Sequence, residues 1–69
     1  MAYNYGKLRG RIVEICHTQR EFAKQMELSE RSITLRMHGK IAWDQKDIAK
    51  ALDVLKLSER DIRTYFFAE

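Results

Sequence analysis

Between Thr18 and Lys40 the chain reads TQREFAKQMELSERSITLRMHGK, and two helix starts follow each other there with room for only a short turn between them. Thr18 and Glu21 form a T-x-x-E capping box, in which a hydroxyl and a carboxylate each satisfy an orphan backbone N–H, so a helix begins near Gln19. Its inward side is Phe22, Ala23 and Met26. Glu27 and Leu28 break the pattern, and Ser29 is a good N-cap for a new helix starting at Glu30. A turn of about three residues holds two such helices at a steep angle, which is helix-turn-helix geometry. Gly39 closes the second helix, because glycine accepts the left-handed conformation common at helix ends.

Within that second helix Ile33 and Met37 face the core. At about 100° per residue, Arg31, Leu35 and His38 fall on the roughly opposite side, with Ser32 and Thr34 on the flanks. Leu35 is the misfit on this polar face. It can meet a thymine methyl in a major groove, or pack on a neighbouring loop or a dimer partner, and both readings stay open.

The segment resembles the helix-turn-helix of the phage Cro and repressor family, with Gln19 at the first motif position, Ala23 at the small inter-helix position and Ile33 at the buried position of the reading helix. With the closing Asp61-Ile62 and Tyr65-Phe66-Phe67, nearly the whole chain is similar to a narrower group of small phage-encoded Cro-like proteins. Two residues depart from the pattern. Glu27 stands where the turn usually has glycine, so either the turn is built differently or Glu27 takes a strained backbone. Arg36 occupies a late buried position whose packing role passes to Met37.

The rest of the chain agrees with one all-α domain over residues 1–69, with the motif at about 18–40. Asn4 can cap a first helix running to about Ile15, with Leu8, Ile12 and Ile15 inward and Gly10 marking a close helix crossing. Trp43 anchors the connection after the motif, and its indole N–H can donate to a phosphate or a carbonyl. Asp44 and Asp47 suit the start of a fourth helix whose Ile48, Ala51, Leu52 and Leu55 repeat at helical spacing. Ser58 and Asp61 cap a fifth. The expected architecture is five short helices around one core, a Cro/repressor-like DNA-binding domain by the resemblance.

Residues 1–40 carry eight Lys/Arg against four Glu, a net +4, and residues 41–69 carry five against six Asp/Glu, a net −1. The positive charge sits with the motif, as a phosphate-binding surface requires. The single Cys16 excludes an internal disulfide, and Cys16, His17 and His38 fall short of a metal site. No paired carboxylates, nucleophile-base pair or phosphate loop marks an enzyme. No apolar run approaches the ~20 residues of a membrane span, and MAYNYGKLRG lacks the apolar core of a signal peptide. The expected location is the cytoplasm of a bacterial host, with the chain phage or prophage encoded and needing no cofactor.

The resemblance implies a sequence-specific transcriptional regulator, a Cro-like repressor that inserts residues 30–38 into the operator major groove. Glu30, Arg31 and Leu35 then lie at base-facing positions, with Ser32 and Thr34 as adjustable contacts. Thr18, Gln19 and Arg20 position one phosphate at a helix start, and Arg36 and Lys40 flank the other strand. A homodimer paired through the final helix would read two half-sites ~34 Å apart on double-stranded DNA. Tyr65, Phe66 and Phe67 are the candidate dimer interface, since they exceed what one face of so short a helix can bury. In the competing reading Tyr65 and Phe66 fold back into the core, which suits Phe66 better than Phe67. An alternative function is a protein-binding antirepressor that keeps the fold but docks on another repressor through Leu35 or the aromatic tail.

Overall fold

The computed structural model describes residues 3–68, which form five α-helices and, among these residues, no strand. They are α1 (Gly6–Cys16), α2 (Gln19–Met26), α3 (Glu30–Met37), α4 (Gln45–Val54) and α5 (Ile62–Phe66), the last entered through a 3₁₀ turn at Glu59–Asp61. The all-α, five-helix architecture expected from the sequence is the one the chain adopts.

Short polar side chains set the helix starts. Thr18 Oγ1 accepts the Glu21 N–H at 3.1 Å, Ser29 Oγ accepts Ser32 N–H at 3.1 Å, and Asp44 Oδ1 accepts Asp47 N–H at 2.7 Å. The Glu21 carboxylate does not reach back to Thr18; it accepts from Gln25 Nε2 at 3.4 Å, so only half of that capping box forms. Asn4 serves α1 from one residue further out than expected, its Oδ1 accepting Gly6 N–H at 2.8 Å with Tyr5 in the cap position. Before the 3₁₀ turn, Asp61 Oδ2 accepts from both the backbone N–H and the hydroxyl of Ser58, at 3.0 and 3.1 Å.

Three helix ends share one device. Glu27, Gly39 and Lys56 adopt left-handed φ values of 61°, 75° and 56°. The N–H of the residue after each one bonds five residues back along the turn: Leu28 to Ala23 O, Lys40 to Leu35 O, and Leu57 to Leu52 O. Glu27 therefore builds the turn that glycine builds elsewhere, at the usual left-handed cost of about 1 kcal/mol for a side chain. Its carboxylate lies 3.1 Å from Lys50 Nζ on α4.

Leu8, Ile12 and Cys16 supply the buried stripe of α1, and Ile15 is only half-buried, so the stripe runs i, i+4, i+8 and not to Ile15 as expected. Phe22, Ala23 and Met26 of α2, Ile33 and Met37 of α3, and Ile48, Ala51, Leu52 and Leu55 join it in one buried core, with α1 packed on α2. α4 packs on α2, and α5 bridges α1 and α4. Phe66 plugs the bottom of this core at 1% exposure, against the edge of Trp43 at 5.2 Å. Burial, and after it the Glu21 carboxylate, pushes the Cys16 thiol pKa up, so Cys16 stays a protonated core residue at neutral pH. The close crossing expected at Gly10 is not there: Gly10 is exposed, and nothing lies within 4 Å of where its Cβ would sit.

Two stability outcomes follow from these positions. Gly10→Ala should add about 0.5–1 kcal/mol by removing a helix-interior glycine that contacts nothing. In a thermal melt this reads as a Tm rise of roughly 3–6 °C. Phe66→Ala should cost about 3–5 kcal/mol. That is much of the roughly 4–10 kcal/mol available to a chain of this size, so denaturant titration should find the variant largely unfolded at 37 °C.

Candidate functional site

The outer face of α3 carries the side chains that the sequence suggests for base reading. Arg31 is exposed, and Ser32, Thr34 and Leu35 are half-buried. Several of the ten candidate contacts are already joined to one another. Gln19 Nε2 donates to Thr34 Oγ1 at 2.8 Å, tying the start of α2 to the middle of α3. Glu30 faces Arg20 at 3.7 Å, so a candidate base reader and a candidate phosphate contact form an open ion pair. Thr18 spends its hydroxyl on the α2 cap. Arg31 and Lys40 are exposed cations with no ion pair among the described residues.

Arg36 requires a correction. Its Nε lies 3.0 Å from Asp47 Oδ2, its Nη1 donates to Ser32 O at 3.1 Å, and its side chain is only 12% exposed. The guanidinium is committed to joining α3 to α4 and does not stand on the surface as a phosphate contact. The signal was present in the sequence as the arginine at a buried family position, but its partner sits eleven residues away on another helix.

A second surface lies at the other end of the molecule. Of the three aromatic residues expected at an interface, Phe66 is in the core, Tyr65 is partly buried against it, and Phe67 alone stands out, 41% exposed. The Phe67 ring meets Tyr3 edge-on at 5.3 Å, and Asn4 N–H donates to Ala68 O at 2.6 Å, so the two ends of the described chain run side by side. On one side of Phe67 is a cleft of about 190 Å³ walled by Tyr3, Tyr5, Ile41 and Trp43. On the other is a groove of about 470 Å³ between α4 and α5, floored by Ile48, Ala49, Leu52 and Ile62, with Glu59 at its edge. Burial, and after it the neighbouring Tyr3, pushes the Tyr5 phenol pKa up, which keeps that wall neutral. The Trp43 indole N–H, expected to donate to a phosphate or a carbonyl, is buried without a partner among the described residues.

Sequence reasoning missed Tyr3, Ile41 and Ala49 as members of this surface, since only the folded topology brings them beside Phe67. The arrangement suits binding and not covalent chemistry. Among the described residues no group of three or more His, Cys, Asp or Glu is placed to hold a metal ion, and no helix is long and apolar enough to cross a membrane.

No curated protein matches the chain significantly. Among solved structures, the chain is similar to the modulator of repression (MOR) of the temperate bacteriophage TP901-1 from Lactococcus lactis, known from a solution structure. The two are 46% identical with a TM-score of 0.86, over 97% of this chain and 90% of that one. This overturns the expectation of a Cro-like repressor that reads an operator. A relative this close is named for modulating repression, and on α3 two of the residues expected to read DNA, Glu30 and Thr34, are paired with Arg20 and Gln19 of α2. The family model described as "Protein of unknown function (DUF739)" matches residues 1–69, and the chain belongs to that family.

Proposed function

We propose that this protein is a phage antirepressor, a non-catalytic binding module that docks on a repressor protein and lowers its hold on the operator. The observation that carries this reading is the 46% identity, across 97% of the chain, to a phage modulator of repression. Two features of the molecule support it. Glu30 sits at the N-terminal tip of α3, where a major-groove reader would approach phosphate, and brings a negative charge there. The ridge of Phe67 and Tyr3, between two apolar recesses, is the kind of aromatic surface enriched at protein interfaces.

In this reading the helix-turn-helix of Cro/repressor type is a scaffold, and the chain acts in the cytoplasm of the bacterial host. The mechanism is mass action. A protein that binds the repressor only when it is off DNA lowers the repressor's apparent operator affinity by the factor 1 + [L]/Kd. At about 100 Kd of free antirepressor that amounts to about 2.7 kcal/mol. No conformational signal within this domain is needed.

The test is fluorescence anisotropy on a labelled operator bound by the repressor of the same phage genome, titrated with this protein. The expected result is loss of the repressor–DNA signal, together with a repressor–antirepressor complex on gel filtration. An operator that stays fully occupied at a hundredfold excess would sink the antirepressor reading.

A further inference from the structure

We propose that the groove between α4 and α5 is the docking site, and that its occupant is a positively charged amphipathic segment of a DNA-binding repressor. This rests on the antirepressor reading and deepens it by naming the surface and the chemistry it takes.

The shape fits one helix face. Ile48, Ala49 and Leu52 line one wall at i, i+1 and i+4, Ile62 lines the other, and Phe67 closes one end. Seen from α4, the wall from Gln45 to Leu52 spans two turns, about 10 Å. That length takes two successive apolar anchors of an inserted helix at i and i+4, the helix-in-groove mode of recognition. Glu59, on the 3₁₀ turn at the groove edge, is exposed and has no ion pair among the described residues. It is placed to meet a Lys or Arg flanking the apolar stripe of the incoming segment.

Charge selects the occupant. A protein that grips DNA presents a basic surface to phosphates. The half of this chain up to residue 40 is net +4 and repels such a surface, whereas residues 41–68, which hold every residue of the groove, carry five Lys/Arg against five Asp/Glu, and the one charged side chain lining the groove is Glu59. The two ion pairs that cross between the halves, Arg36–Asp47 and Lys50–Glu27, take one cation and one anion from each and leave the imbalance unchanged. A second copy of this chain is the poorer occupant. An isologous contact through this groove would bring two copies of the unpaired Glu59 into one interface and give neither a cation.

Calorimetry of the full chain against the purified repressor of the same phage genome tests the assignment. Ala49→Arg fills the groove from an exposed position, and Glu59→Lys reverses the charge at its edge; circular dichroism and a thermal melt check that both remain folded. Ala49→Arg should abolish measurable binding, Glu59→Lys should weaken it about tenfold, and Arg31→Glu on α3 should leave it within twofold of the unaltered chain. Binding that survives both groove changes but is lost on Arg31→Glu or Leu35→Ala would overturn the groove and leave the antirepressor reading standing. No binding by the unaltered chain would overturn both. A free chain that sediments as a dimer, converted to monomer by Ala49→Arg, would make a second copy the occupant and also overturn the proposal.

Discussion

The contact between Arg36 and Asp47 fixes how the two halves of this small protein meet. Asp47 is held twice, its backbone N–H by the Asp44 cap and its carboxylate by Arg36, while Arg36 also reaches the Ser32 carbonyl. One guanidinium thus ties the last turn of α3 to the first turn of α4 across the connection at residues 38–44. With side chains only 12% and 15% exposed, the pair is poorly screened, and removing either partner would strand the other charge out of water at a cost of a few kcal/mol. The orientation of α4, which lines one wall of the groove, depends on this pair. The same contact withdraws Arg36 from the outer face of α3.

Other local bonds act in the same direction. Gln19 to Thr34 and Arg20 to Glu30 each join two side chains that a DNA reader would turn outward. The first is a neutral hydrogen bond in a half-buried place, worth about 1 kcal/mol net. The second is an exposed pair worth less still. Neither alone forbids another partner, but any new partner must first break them. At the aromatic end no side-chain hydrogen bond or ion pair engages Phe67, whose ring has the edge-on contact with Tyr3. Phe67 is exposed although it sits beside a well-packed core, and the buried indole N–H of Trp43 has no partner within the described chain.

Much of the fold was legible because its signals are local. Thr18, Ser29, Asp44 and Ser58 sit at helix starts, and Phe22, Ala23, Met26, Ile33 and Met37 bury as their spacing requires. Where the reading slipped, a non-local fact decided. Cys16 is buried more deeply than Ile15, which packs half-buried against the core, and depth of burial depends on neighbouring helices that spacing does not specify. Gly10 has no crossing neighbour, which no spacing rule could reveal. Glu27 resolves the open question at the turn: the hydrogen bonds from Glu27 N–H to Lys24 O and from Leu28 N–H to Ala23 O carry a left-handed side-chain residue there without glycine. Phe66 and Phe67 are adjacent in sequence and opposite in fate, since on so short a helix one step of about 100° separates core from solvent.

The candidate site was harder to read than the fold, and the reason is physical. A helix-turn-helix pattern reports how two helices pack, through Ala23 between them and Ile33 beneath, and those constraints are the same whether α3 meets a base pair or only water. What separates a reader from a scaffold is the availability of side-chain hydrogen-bonding groups, and in Gln19, Arg20, Glu30, Thr34 and Arg36 these are engaged by partners the pattern does not specify. The same motif can therefore persist while the exposed apolar surface moves to the opposite end of the domain. Function follows the site and not the fold.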